Sequence, residues 1–296
     1  MKWNGSRIDA ILEQALIEDQ AARDATTNLT IDPGLRAAGS ILARQEMVVA
    51  GLGAVPRLLE IFGRLDQRPE AHNRFEVVSH PEIFDGVRVH GGQVLAVIRH
   101  NARVLLSCER VVLNLIQHLS GIATLTRRYV DAIQGTQARV LDTRKTVPGL
   151  RTLEKYAVLC GGGTNHRLDL ASGILIKNNH MALGGGLRST LAHALERRQA
   201  GQRVQVEARS LSEVEEAIDC GAEAFLLNTM SPAQVREAVE RIRKEPRWIP
   251  IEASGGIVLD NIRSYAETGV EFISVGALTQ SAGAADISMS IVAEPA

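Results

Sequence analysis

Aromatic side chains are scarce in this chain, at 3% of residues. A surface that stacks nucleic-acid bases needs such rings, so that class of partner has little to hold it. Cysteine is scarce too. Cys108, Cys160 and Cys220 are an odd number at wide spacing with no CxxC pair, which argues against zinc and against a disulfide framework. They read as three buried thiols in a reducing cytoplasm. No stretch approaches the ~18 consecutive apolar residues of a membrane span. Residues 1–20 carry charges throughout and hold no apolar run, so neither a signal peptide nor a targeting helix is expected. Excess charge of one sign is also missing: 33 Lys and Arg stand against 34 Asp and Glu. A net charge of −1 argues against binding nucleic acid through bulk phosphate attraction.

What is present is an ordinary globular composition, 45% apolar and 23% charged over 296 residues. That length suits one large or two medium domains. The neutral sum conceals a division. Arg139–Lys177 holds seven Lys and Arg against three Asp and Glu, whereas the chain from Gln205 onward holds seven against fifteen.

Two textures run along the chain. Up to about Asn101, short β-prone pieces (Ser40–Ala43, Glu76–Ser79, Val94–Ile98) alternate with turns and an apolar-periodic run, Ala54–Phe62. Glu109–Ile133 has helical spacing of Val112, Leu115, Ile116, Leu119 and Ala123, with Gly121 as a candidate break. Beyond it, Val140–Asp142, Gly173–Lys177, Val204–Glu207, Ala224–Leu227, Ile249–Ala253 and Phe272–Val275 read as buried parallel strands. Helical segments separate them: Leu187–Gln199, Leu211–Cys220, Pro232–Lys244 and Asp260–Thr268. Repeated βα units predict a parallel barrel with its chemistry at the carboxyl ends of the strands. A doubly wound open sheet is the competing layout.

Several charged and Gly-rich positions fall at those strand ends. Only five lysines exist, and Lys145 and Lys177 each follow a predicted strand. A solvated Lys at a loop start is the plain alternative for either one. With Arg144, His166 and Arg167 close by in sequence, the five suit a small substrate carrying more than one carboxylate. His166 taken alone is equally a satisfied core histidine. Glu207, Asn228 and Glu252 lie at or near the ends of three later strands, where a carboxylate holds sugar hydroxyls or Mg²⁺. A structural salt bridge is the other reading for the two glutamates. Ser254-Gly255-Gly256 and Ser274-Val275-Gly276 fall in the last two βα loops, which in barrels commonly cradle a phosphate.

In combination the blocks are specific. Asp142-Thr143-Arg144-Lys145-Thr146, Asn165-His166-Arg167, Ile176-Lys177-Asn178-Asn179-His180 and Glu252-Ala253-Ser254-Gly255-Gly256-Ile257 resemble the carboxylating nicotinate-nucleotide pyrophosphorylases, or quinolinate phosphoribosyltransferases. So do Glu109-Arg110, Ser120–Thr124, Ser274–Thr279 and the amino-terminal Asp24–Thr27. The resemblance implies a type II phosphoribosyltransferase with an incomplete parallel α/β barrel over 116–279 and an N-terminal α/β sandwich over 1–115, on which 280–296 packs back. It implies a cytoplasmic homodimer, or a higher homo-oligomer, that joins quinolinate to phosphoribosyl pyrophosphate with Mg²⁺. Arg144, His166, Arg167 and Lys177 would hold the two carboxylates, with Arg110 reaching in from the neighbouring subunit. Lys145 would face the pyrophosphate, Glu207 and Asn228 the ribose and metal, and Ser254, Gly255, Gly256 and Gly276 the 5′-phosphate. Lys145, Glu207 and Lys177 are the residues assigned to catalysis.

The chain departs from the family where an Asp-Asn pair is common and Asn228-Thr229 stands here, and where Gln280 replaces a frequent His. Both changes fall on the phosphoribosyl side. They keep open a paralogue that acts on another aromatic acid, or that binds a carboxylate ligand without turnover.

Overall fold

A computed structural model describes residues 1–67 and 73–295. Twelve strands occur among them: β1 Arg36–Ala43, β2 Met47–Val48, β3 Glu76–Val78, β4 Arg88–Val89, β5 Val94–Asn101, β6 Arg139–Leu141, β7 Ile174–Ile176, β8 Val204–Ala208, β9 Ala224–Asn228, β10 Ile251–Ser254, β11 Phe272–Ser274 and β12 Ile287–Ala293. The chain divides into two compact units. The first is 1–125 with 148–162 and 282–296; the second is 126–147 with 163–281.

The first unit is built on an antiparallel sheet in the order β12-β1-β5-β3. β1 sits inside the sheet, with Ile41 opposite Met289 on one side and Ala96 on the other. Its residues alternate between buried and more exposed, the period of two expected of a strand with one covered face. Helix Ala54–Leu65 buries Val55, Leu58, Leu59, Ile61 and Phe62 on a stripe of helical period. Elements that escaped the sequence reading here include helix Ser6–Glu18, helix Ala25–Thr30, helix Arg151–Cys160 and β12. β12 pairs with a strand some 250 positions earlier, a non-local partnership that no local pattern announces.

Helix Ala102–Ala132 is continuous, so Gly121 does not break it. Nor are all three thiols buried. Cys108 is, while Cys160 and Cys220 are half-buried, each at the carboxyl end of a helix rather than inside a core stripe.

The second unit is a six-stranded, all-parallel sheet in the order β6-β11-β10-β9-β8-β7. Its crossover helices carry local start signals. Ser210 caps Leu211–Asp219 by accepting the Glu213 N–H at 3.2 Å. Ser231 and Gln234 form a capping box with Pro232 at the first turn of Pro232–Ile242. The sheet curls. β9 separates β8 from β10, yet Gln205 on β8 donates to Glu252 on β10 at 2.8 Å, a contact made only across a concave interior. β6 and β7 do not pair; Thr164 instead bridges to Leu141 on β6. The result is an incomplete α/β barrel. Among the described residues no helix is long and apolar enough to cross a membrane.

Candidate active site

Parallel strands present all their carboxyl ends on one rim, and the period of two sends alternate residues into the barrel. Gln205 and Glu207 on β8, and Glu252 and Ser254 on β10, are spaced two apart and all reach inward contacts. Ser274 Oγ on β11 donates to Ser254 Oγ at 2.9 Å, closing the next pair around the rim.

The cationic wall follows β6. Asp142, fully buried, accepts the His166 N–H at 2.8 Å and thereby ties the Thr164–Arg167 segment to the end of that strand. The Arg167 guanidinium donates to Gly173 O at 2.8 Å. Burial pushes that guanidinium below its ordinary value, and Arg144 beside it pushes the same way; Asp169 and Glu252 oppose. Arg144 Nε is buried with no hydrogen-bond partner. Two neighbouring arginines, one with an unsatisfied buried donor, form a site suited to an anion in addition to the countercharge of Asp169 and Glu252.

His166 is engaged on both ring nitrogens. Nδ1 accepts the Arg167 N–H at 2.7 Å, and Nε2 lies 3.2 Å from Glu252 Oε2. A cavity of about 440 Å³ runs alongside, lined by His166, Arg167, Gln205, Glu252 and Phe272 among others.

The acidic side is built on β8 and β9. Glu207, 6% exposed, lies 4.0 Å from Lys177 Nζ through one oxygen and accepts from Asn228 Nδ2 at 3.4 Å through the other. These are the rim partners of the two glutamates: Lys177 for Glu207, His166 for Glu252. Asn228 and Glu207 present oxygen donors of the kind a hard cation takes, but with one charge between them. Among the described residues no group of three or more His, Cys, Asp and Glu is arranged around a metal position. Mg²⁺ is ordinarily held by one or two carboxylates together with substrate phosphates, so this set fits a cation that arrives with a phosphorylated substrate.

The cradle shows why its glycines are glycines. Gly255 has φ +87°, and a Cβ there would lie 2.5 Å from Asn228 Oδ1 and 2.8 Å from Thr229 N. Gly276 admits Lys145, whose Cδ would be 3.1 Å from a Cβ at that position; Gln280 Oε1 approaches the same point. Thr279 Oγ1 anchors the loop by donating to Lys145 O at 2.7 Å. Thr229 itself has φ +60°, an outlier for a β-branched residue, and its N–H donates to Ser254 O at 2.8 Å.

Within the second unit the structure thus groups Arg144 with Arg167 and His166, Lys177 with Glu207 and Asn228, and Lys145 with Gly276. Gly256 follows Gly255, also at positive φ. Arg110 is an exposed residue of helix Ala102–Ala132 in the first unit. Sequence reasoning missed Gln205 and Thr229. Gln205 had a usable signal, two residues before Glu207 on the same strand face; Thr229 had none, since its strain is visible only in the backbone.

Comparison with known proteins agrees along the whole chain. The profile described as quinolinate phosphoribosyl transferase, C-terminal domain, matches residues 122–290, and that of the N-terminal domain matches 24–120. A nicotinate-nucleotide pyrophosphorylase [carboxylating] from Mycobacterium leprae is 39% identical over 282 residues, 95% of each chain. The solved structure of NadC from Streptococcus pyogenes superposes with a TM-score of 0.89 at 36% identity, covering 97% of each chain. That of the Ehrlichia chaffeensis nicotinate-nucleotide pyrophosphorylase gives 0.85 at 35% identity, over 99% of this chain and 100% of that one.

Proposed function

The chain belongs to the quinolinate phosphoribosyl transferase family, and we infer from that premise which of its residues perform each part of the reaction. The enzyme joins quinolinate to phosphoribosyl pyrophosphate and yields nicotinate mononucleotide, pyrophosphate and carbon dioxide, a step of NAD biosynthesis. This reading stands over that of a binding protein without turnover.

The observation that carries the residue assignment is the buried, unpartnered Arg144 Nε beside an Arg167 destabilised by burial and by its cationic neighbour. A substrate dianion satisfies both. Arg144, Arg167 and Lys177 take the two carboxylates, with His166 as part of the same wall. The pyridine nitrogen attacks the anomeric carbon, so no protein nucleophile is required and orientation supplies much of the rate. Positive charge develops on the ribose ring as pyrophosphate departs; Glu207, steadied by Asn228, faces the former, and Lys145 the latter. Ser254, Gly255, Gly256 and Gly276 receive the 5′-phosphate. Mg²⁺, when bound with the pyrophosphate, would neutralise the leaving group's charge. Once the ring nitrogen is quaternary, the bond from the adjacent carbon to its carboxylate breaks. Carbon dioxide leaves, the electron pair stays on the ring carbon, and a proton replaces the carboxylate.

Exposed Arg110 is the residue a second subunit would contribute to complete the carboxylate site, which supports a homodimer.

Purified protein with Mg²⁺ and phosphoribosyl pyrophosphate is expected to convert quinolinate with stoichiometric release of carbon dioxide, and to leave nicotinate largely unused. Preference for nicotinate, or no product from either with folded protein, overturns the assignment.

A further inference from the structure

Behind the cationic wall sits a carboxylate that the steps above do not use. Glu252, on β10, is 3% exposed. Both of its contacts fall on a single oxygen. Gln205 Nε2 donates to Oε2 at 2.8 Å, and His166 Nε2 stands 3.2 Å from the same atom. Oε1 is buried and has no hydrogen-bond partner. A buried carboxylate with one idle oxygen is costly, and such groups persist where something else depends on them.

What depends on this one is the imidazole. Nδ1 of His166 accepts an amide hydrogen from Arg167 at 2.7 Å, so it carries none of its own. The ring hydrogen is therefore on Nε2, directed at Glu252. The carboxylate 3.2 Å away favours a hydrogen on that nitrogen and so holds both tautomer and ring orientation, as acidic partners of functional histidines do. Gln205 in turn fixes the carboxylate. Both ring nitrogens are then committed to protein, so His166 serves the carboxylate site as an oriented wall whose nearest ion-binding groups are Arg144 and Arg167.

We propose that Glu252 is a positioning residue for quinolinate, acting through its Oε2 to hold His166 as the Nε2–H tautomer against the Arg144–Arg167 pair. The inference rests on quinolinate occupying that wall. Because one oxygen takes both contacts, the hydrogen bonds and the charge are separable. Glu252→Gln keeps both bonds if its carbonyl oxygen takes the place of Oε2, with its NH₂ in the idle position. Glu252→Leu, close in volume, removes both.

The test combines quinolinate calorimetry, steady-state constants for each substrate and ¹⁵N spectra of labelled histidine, with His166 assigned by its absence in His166→Asn. Wild-type His166 should show a protonated Nε2 and a bare Nδ1. Glu252→Gln should keep that pattern and a KM for quinolinate within about threefold of wild type. Glu252→Leu should raise that KM by about tenfold or more, as expected for loss of a hydrogen bond to a charged group. The KM for phosphoribosyl pyrophosphate should change little. In the His166→Asn background the Glu252→Leu effect should vanish, since coupled residues do not add. A wild-type Nδ1–H tautomer overturns the proposal, and that spectrum does not depend on any variant folding. So does Glu252→Gln as impaired as Glu252→Leu, an unchanged quinolinate KM in Glu252→Leu, or additive effects. Failure of the wild-type protein to bind quinolinate at all overturns the site assignment instead.

Discussion

Replacing Gly121 by alanine is the substitution for which local and tertiary reasoning predict opposite signs. Gly121 lies inside the helix Ala102–Ala132, where Gly→Ala ordinarily stabilises by about 1 kcal/mol. Here the added Cβ would run into Gly283 O, with Gly283 C at 3.0 Å and Ala284 Cα at 3.2 Å. All three are backbone atoms, so no rotamer change relieves the clash. The segment is also tethered: Ala285 N donates to Gln117 O at 2.9 Å and Gln117 Nε2 to Ile287 O at 2.7 Å, just where β12 begins. Overpacking costs about 1–3 kcal/mol, and loosening the two tethers about 1 kcal/mol each. After the helix gain is subtracted, the net destabilisation is about 2–4 kcal/mol.

For a domain of this size that corresponds to a fall in Tm of roughly 5–10 °C by scanning calorimetry. Gly63→Ala serves as the contrast. In helix Ala54–Leu65 the new Cβ meets only the Asn73 side chain, which can swing away, so the change in Tm should be small. A Gly121→Ala protein as stable as wild type, or more so, refutes the reasoning. It would mean that Gly121 is tolerated in the helix and is not required by a close approach of backbone to backbone.

Gly255→Ala should raise the KM for phosphoribosyl pyrophosphate by about tenfold or more, because a Cβ at φ +87° crowds Asn228 Oδ1 and Thr229 N; quinolinate calorimetry should change little. Arg144→Gln should raise the Tm of the unliganded protein by relieving Arg167, and should abolish the quinolinate-induced rise, about 2.7 kcal/mol at a hundredfold excess over Kd in wild type. Asn228→Asp places a second carboxylate 3.4 Å from Glu207; the unliganded Tm should fall, and Mg²⁺ should restore more of it than in wild type. Asp24 caps helix Ala25–Thr30 and is held below the usual aspartate range, first by Thr27 and also by Ser107. A lowered value in the folded state means that its contribution is full above about pH 3.9 and fades as pH falls below that. Urea unfolding of Asp24→Asn should therefore lose less stability than wild type between about pH 4 and pH 3, while Asp24→Ala costs about 1 kcal/mol at neutral pH.

The parts of this enzyme legible in its sequence share one property: their meaning is local. Ser231-Pro232 with Gln234 announces a helix start, and alternation along Arg36–Ala43 announces a half-covered strand. Polar and charged residues stand out where a buried parallel strand ends, which is why Lys177, Glu207 and Asn228 could be placed on one rim. Non-local facts stayed hidden. Nothing near Ile287 names β1 as its partner, and nothing near Gly121 names Gly283 as the reason for a glycine.

Glu252 shows how the two kinds of information combine. Its position in a strand was readable, and so was a choice between site residue and salt bridge. The structure sets it against the His166 imidazole at 3.2 Å, which is neither alternative in pure form. A strand of period two that carries Glu252 and Ser254 inward stacks two polar layers in a barrel that packing rules would fill with branched aliphatics. The upper layer is Ser254 with Ser274, Glu207 and Asn228, the side on which we place the phosphoribosyl group. The lower layer, Glu252 with Gln205, meets His166. Polar groups one layer beneath a site stabilise the fold less well than leucines would, so their retention is explained by what they orient. The charge division along the chain follows from this. Of the fifteen acidic residues beyond Gln205, Glu207 and Glu252 are the two the structure buries inside the barrel, one beside Lys177 and Asn228 and the other beside His166 and Gln205.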